Sequence, residues 1–261
     1  LKTVMMPTLF VSHGAPTLPL EGGPARDFFN ELGTTFGKPA AILAVSAHWE
    51  THVPTVGTAE RPATIHDFYG FPRALYEMTY PAPGAPEVAR RAAACIRAAG
   101  LDVEENVSRG LDHGAWVPLM MMYPAADVPV MQLSIQPALG PAHHAELGRA
   151  LAPLRDDGVL ILASGSAVHN LSTLVWGQHG APPAWVKAFD DWLEARIAEG
   201  AHDELIAYRD QAPAAAAAHP SDEHLLPLFV AMGAAGPRAK GTRLHSSFMH
   251  GSLSMAAFSF S

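Results

Sequence analysis

The chain has 261 residues, 49% of them hydrophobic and only 16% charged, a composition that demands a large buried core and suits a single α/β domain. A formal net charge of −8 with 17 scattered Lys and Arg leaves no electrostatic footprint for nucleic acid. The longest apolar runs, residues 40–45 and 159–163, are strand-length and too short to span a bilayer. The single cysteine, Cys95, excludes a disulfide within the chain and a cysteine-based zinc site. With no apolar signal segment followed by a small-residue cleavage site near the start, the expected location is the cytoplasm.

Along the chain, short β-branched and apolar runs alternate with helical stretches. In order, the pattern predicts a strand at 8–11, a helix at 24–32, a strand at 41–46, and helices at 86–99 and 114–122. A strand at 130–134, a helix at 141–154 and a strand at 159–164 follow, then helices at 183–199 and 223–232 and a last strand at 254–260. Pro86 and Pro141 sit where a first-turn proline is tolerated, and Asp112 is placed to cap the helix that begins near Gly114. The alanine tract 214–218 reads as a helical turn or a packed loop, and Met120-Met121-Met122 as core. Alternation of this kind predicts a central, mostly parallel or mixed sheet with helices on both faces, and ligands at the carboxyl ends of its strands.

Histidine is the unusual residue: fourteen are present. The first predicted strand runs into Ser12-His13-Gly14-Ala15-Pro16, the second into Ser46-Ala47-His48-Trp49, and another into Gly165-Ser166-Ala167-Val168-His169-Asn170. Three strands thus each deliver a histidine just past their carboxyl ends beside small residues, which let a backbone approach a ligand closely. Two further clusters are Leu111-Asp112-His113-Gly114 and His219-Pro220-Ser221-Asp222-Glu223-His224. Neutral imidazoles converging from separate strands suit Zn, Fe, Cu or Ni. His52, His66, His143, His144, His179, His202, His245 and His250 read mostly as surface residues or neighbours of such a site. Other chemistries fail on spacing, because there is no G-x-S-x-G elbow, no phosphate-binding glycine loop and no H-E-x-x-H pair.

These segments, together with Asp67-Phe68-Tyr69-Gly70-Phe71-Pro72, occur in an order that resembles the class III extradiol ring-opening dioxygenases, specifically the DOPA 4,5-dioxygenase-like branch. The resemblance runs from about Pro7 to Phe260. It implies one catalytic domain, residues 1–261, in which His13, His48 and His224 hold a non-haem Fe(II). His169 would be a further ligand or the acid/base beside the metal, and His113 a catalytic group facing substrate. A small aromatic diol and dioxygen would be the reactants, with ring opening next to the diol. The protocatechuate branch uses two histidines and a glutamate; here the third position falls on His224, and its neighbours Glu223 and Asp222 leave a carboxylate ligand open. Three neutral histidines would leave the full charge of a divalent ion to depress the pKa of bound catechol hydroxyls.

The aromatic segment around Tyr69 reads either as a loop over substrate, with Tyr69 as a polar contact, or as a loop anchored by Phe68 and Phe71. Arg73 and Arg109 are the candidates for a substrate carboxylate clamp. Zinc competes well for such nitrogen sites and would be expected in isolated protein. Two other readings use the same residues: a zinc-dependent hydrolase, and a binding relative of the fold without chemistry. Retention of every strand-end histidine argues against the second. Neither the choice of catechol nor the oligomeric state is legible.

Overall fold

The computed structural model describes residues 5–178 and 180–261, so His179 lies outside the described residues. The chain begins β1 (Thr8–Ser12), α1 (Pro24–Thr35), β2 (Ala41–Glu50), β3 (Thr55–Gly57), α2 (Arg73–Glu77) and α3 (Pro86–Ala98). It continues through β4 (Glu104–Asn106), α4 (His113–Met122), β5 (Val130–Ile135), α5 (Gly140–Leu151) and β6 (Val159–Gly165). Helices α6 (Ala184–Glu199), α7 (His202–Ile206), α8 (Tyr208–Gln211), α9 (Ala215–Ala218) and α10 (Leu226–Ala235) follow. Strands β7 (Gly241–His245), β8 (Phe248–Met249), β9 (Leu253–Ser254) and β10 (Ala257–Phe260) close the chain.

Eight strands form one mixed sheet in the order β4-β3-β5-β2-β6-β1-β10-β7. The centre, β5-β2-β6-β1, is parallel, and β10 and β7 add antiparallel at one side. Because side chains alternate across a strand, the two faces build two cores. Phe10, Leu43, Val45, Ile161 and Ala163 pack under α3, α5, α6 and α10. Leu9, Val11, Ile42, Ala44, Leu160 and Leu162 pack under α1 and α4. Burial on both faces explains why these strands read as continuous apolar runs rather than alternating ones. Helix α10 packs against α5 and the strands behind it, so it is apolar all round, with Leu226–Ala234 entirely buried. No helix among the described residues is long and apolar enough to cross a membrane.

The expected mixed α/β sheet is present, and several boundaries differ for identifiable reasons. Strand β2 extends to Glu50, so His48 lies inside the strand; its ladder with β5 loses register between Val45 and Glu50. The predicted last strand is broken into β9 and β10, with Met255 turned to hydrogen-bond Ser247 O at 2.9 Å. The helix expected from residue 223 starts at Leu226, because the preceding segment is a loop whose His224 carbonyl accepts from Ser166 N–H at 2.9 Å. Asp112 occupies the N-cap position of α4 but does not cap it. Its buried carboxylate instead accepts from Ser46 Oγ (2.6 Å), Arg109 Nη2 (2.6 Å) and Gln132 Nε2 (2.8 Å).

Candidate metal centre and substrate cavity

Strands β2, β6 and β1 are neighbours in the sheet, and their carboxyl ends bring the histidines together. His13 directly follows β1 and is fixed by its N–H donating to Gly165 O at 3.0 Å. His169 N–H donates to Ala218 O at 2.9 Å, which ties the segment after β6 to the chain leading into His224. Two close approaches make this possible. A Cβ on Gly165 would stand 2.0 Å from His224 O, and one on Gly114 2.3 Å from Ser46 Oγ and 3.0 Å from His48 Cδ2. Gly165→Ala is therefore expected to push the His224 loop outward, weakening metal binding about tenfold or more and destabilising the fold by about 1–3 kcal/mol. A metal titration with unchanged affinity would contradict this packing account.

The rings of His13 and His224 are each held in one tautomer by what lies behind them. Ser164 Oγ donates its only proton to Gly114 O, so at 3.0 Å from His13 Nδ1 it must accept from that nitrogen. His13 Nε2 is left as a lone pair. Glu223 Oε1 accepts from His224 Nδ1 at 2.9 Å, leaving His224 Nε2 buried with no hydrogen-bond partner among the described residues. His48 Nδ1 faces Asp67 Oδ2 at 3.8 Å, and its Nε2 stands 3.0 Å from His13 Nε2. A proton on His48 Nε2 would bridge the two nitrogens at that distance, and a shared cation would do so equally. Nitrogens about 2.1 Å from one ion and at right angles would be about 3.0 Å apart, so the observed separation fits a shared metal. Carboxylate or hydroxyl partners on the outer nitrogen are the usual means of fixing metal-binding imidazoles.

Which third histidine completes the set depends on the measure used. The donor atoms of His13, His48 and His113 lie within 4.8 Å of one another, as do those of His169, Glu223 and His224. Ring centroids instead favour His224, at 4.9 Å from His48 and 5.6 Å from His13, with His13 and His48 5.0 Å apart. Rings bound to one ion at 90–109° stand roughly 4.5–5.3 Å apart; His113 meets this with His13 at 5.3 Å but lies only 4.0 Å from His48, whereas His224 exceeds it by a smaller margin, at His13. His224 also has the buried, partnerless nitrogen. The ring spacing carries more weight, because small side-chain rotations alter donor distances before they alter ring positions.

Burial, reinforced by the surrounding imidazoles, holds His13 and His224 well below the ordinary histidine pKa. Burial brings His48 to about 4, with His113 adding to the effect and Asp112 and Asp67 opposing it. His169 falls to about 4 through burial, opposed by Glu223. Neutral rings are the metal-binding form. Outside the cluster, burial likewise takes His144 and His219 to about 4. A histidine whose folded pKa lies below its unfolded value of about 6.5 contributes stability that is present above that value and lost as pH falls toward the folded one. The melting temperature of chelator-treated protein should therefore drop as pH is lowered from about 6.5 to about 4; a flat profile over that window would contradict the assignment.

The histidines form one wall of a cavity of about 600 Å³, the size of a small-molecule site. Phe68, Phe71, Leu171, Leu174, Trp176 and Leu253 supply its apolar walls, and Glu50 and Glu223 its carboxylates. Asp67 grips His113 twice, accepting from its N–H and from Nδ1, both at 2.9 Å, which turns Nε2 away from the carboxylate. Burial raises the Asp67 carboxyl, but the hydrogen bonds and charge of His113 outweigh it and bring the pKa to about 2. The His169 ring stacks on His224 at 3.3 Å with Nδ1 4.0 Å from Glu223. Burial and the charge of Glu223 both raise the Glu50 carboxyl.

Residues 7–260 match the family described as the catalytic LigB subunit of aromatic ring-opening dioxygenase. The chain belongs to this family. Membership makes it an oxidoreductase of the extradiol ring-opening class. Among its relatives, the 4,5-DOPA dioxygenase extradiol of Beta vulgaris is 46% identical over 257 residues, 97% of this chain and 96% of the relative. The protein of the same name from Escherichia coli is 40% identical over 237 residues, 90% and 87% of the two chains. The crystal structure of an uncharacterized Escherichia coli protein superposes with a TM-score of 0.83 at 35% identity, covering 98% of this chain and 100% of that one.

Within this LigB-family fold, His13, His48, His113, His169 and His224 all reach the cavity. Tyr69 does not: it is 91% exposed and outside the lining, while Phe68 and Phe71 point inward. The loop is anchored by its phenylalanines. Arg73 is paired with Glu77 on the surface and Arg109 with Asp112, so neither lines the cavity as a carboxylate clamp. His144 is neither a surface residue nor a neighbour of the site: it is buried, bonded through Nδ1 to Gly140 O and through Nε2 to Gln136 N–H. The roles of Ser164, Asp67 and Glu50 escaped sequence reasoning. Asp67 opens a motif recognised for its aromatics, and nothing local links it to a histidine 46 residues away.

Proposed function

We propose that the chain opens a catechol-type ring with dioxygen at an Fe(II) held by Nε2 of His13, His48 and His224. The supporting observation is the convergence of three neutral imidazoles on one cavity, with His13 and His224 fixed from behind so that each presents a lone pair to it. Bound there, Fe(II) would supply Lewis acidity toward the diol and the electron transfer to dioxygen that zinc lacks. The names of the relatives point to a DOPA-like catechol.

The remaining groups divide the proton work. His169, beside the His224 ring, takes a proton from a catechol hydroxyl and returns one as the ring opens. His113, oriented by Asp67, hydrogen-bonds a substrate oxygen through Nε2. Phe68, Phe71 and Trp176 enclose the aromatic ring and limit water. In iron-reconstituted protein given a catechol and isotopically labelled dioxygen, both labelled atoms are expected in a ring-opened product. Label in water alone, or an unopened product, would reject the reading.

A further inference from the structure

Strand β2 departs from regular pairing at the residue that reaches the metal centre. Its ladder with β5 pairs Val45 with Leu133 and then Glu50 with Ile135, so Ser46, Ala47, His48 and Trp49 stand opposite Ser134 alone. A bulge of this kind re-aims side chains and leaves backbone groups in need of other partners. Both backbone polar groups of His48 have one. Its N–H donates to Ser46 Oγ at 3.2 Å, and its carbonyl accepts from Arg109 Nη2 at 3.5 Å.

The two contacts share an anchor. Ser46 Oγ donates its own proton to Asp112 Oδ1 at 2.6 Å, and the same Arg109 nitrogen donates to Asp112 Oδ2 at 2.6 Å. Asp112 is fully buried, and Gln132 holds it twice: Nε2 donates to Oδ2 at 2.8 Å, and Oε1 accepts from the Asp112 N–H at 3.1 Å. The Arg109 guanidinium also covers the ring of Trp49, 4.9 Å from its centroid. At the N-cap position of α4 this carboxylate would ordinarily accept from the first N–H groups of the helix, yet it makes no such bond and turns to β2 instead. Packing alone would be served by an apolar residue, because a buried charge pair seldom adds net stability.

We propose that Asp112 is a positioning residue for His48: through Ser46 and Arg109 it fixes the bulge of β2 at both backbone groups of His48, and so sets the direction in which the imidazole presents Nε2 to the metal. The proposal rests on His48 as a ligand and not on the reaction, so failure of the extradiol reading would leave it standing.

The test reads metal binding rather than turnover. Zn(II) affinity by chelator competition, the visible spectrum at saturating Co(II) and the melting temperature without metal are compared for the unmodified protein, Asp112→Asn, Ser46→Ala, Arg109→Lys and His48→Ala. Asp112→Asn should lose about 10–100-fold in Zn(II) affinity, the range for groups that orient a metal-bound histidine. Ser46→Ala should lose about tenfold, and Arg109→Lys, which keeps the charge and a donor, less than either. The Co(II) spectra of Asp112→Asn and Ser46→Ala should shift toward that of His48→Ala. Unchanged affinity and spectrum in Asp112→Asn, with a lowered melting temperature, would make the network a structural anchor only and overturn the proposal. Should Asp112→Asn fail to fold, Ser46→Ala, a neutral truncation, decides by the same two readings. Unimpaired Zn(II) binding by His48→Ala would remove His48 from the ligand set, and the positioning role with it.

Discussion

His13→Ala is expected to lose most bound iron and at least about a thousandfold in activity, while keeping its fold. Partners that merely orient a metal-bound histidine are worth 10–100-fold in metal affinity, and removal of the ligand itself should exceed that. The loss should be local: His13 is held at the end of β1, and the strand's ladders with β6 and β10 do not use its side chain. Far-ultraviolet circular dichroism and the melting temperature of the metal-free variant check the fold, and elemental analysis checks the iron. Ser164→Ala is the graded comparison. It removes the acceptor behind His13 Nδ1 together with the hydrogen bond to Gly114 O, so it should weaken metal binding by about 10–100-fold and recover activity at saturating Fe(II). Full iron in His13→Ala would remove His13 from the ligand set.

The second large effect falls on a different step. His169→Ala should retain its iron and lose about a hundredfold to ten-thousandfold in kcat, the usual range for a positioned acid/base. Its ring stacks on His224 without hydrogen-bonding it, so the His224 Nδ1 contact to Glu223 survives the truncation. Retained iron with lost turnover separates a proton-transfer role from a ligand role. Lost iron would make His169 a ligand, and full turnover with full iron would end both assignments.

Much of this architecture was legible because burial writes itself into sequence. Strands β1, β2, β5 and β6 are buried along nearly all their length; β1, β2 and β6 read as apolar runs that end in serine, histidine or small residues, and in β5 only Gln132 and Ser134 interrupt the apolar residues. Strands β3 and β4 were invisible because they are too short to show a pattern. Each is three residues long, and β4 is Glu-Glu-Asn at an exposed edge, with no periodicity to detect. Strand β7, Gly-Thr-Arg-Leu-His, is half-exposed and equally featureless.

At the site, five of the six cavity histidines could be named, from strand-end, Gly-flanked or clustered settings; His250, which also lines the cavity, could not. The groups behind them could not. Ser164 meets His13 across 151 positions and Asp67 meets His113 across 46, and such pairings arise only when the sheet order is known. Tyr69 shows the converse. In a Phe-Tyr-Gly-Phe run the tyrosine looks like the polar contact, yet the backbone turns Phe68 and Phe71 inward and sends Tyr69 to solvent.

The most direct test of the central claim is oxygen uptake by metal-stripped protein reloaded anaerobically with Fe(II), beside a parallel sample loaded with zinc, across a small panel of catechols. Stoichiometric oxygen consumption with a yellow ring-opened product in the iron sample alone is the predicted result. No uptake by fully iron-loaded protein across the panel would contradict a dioxygenase built on His13, His48 and His224.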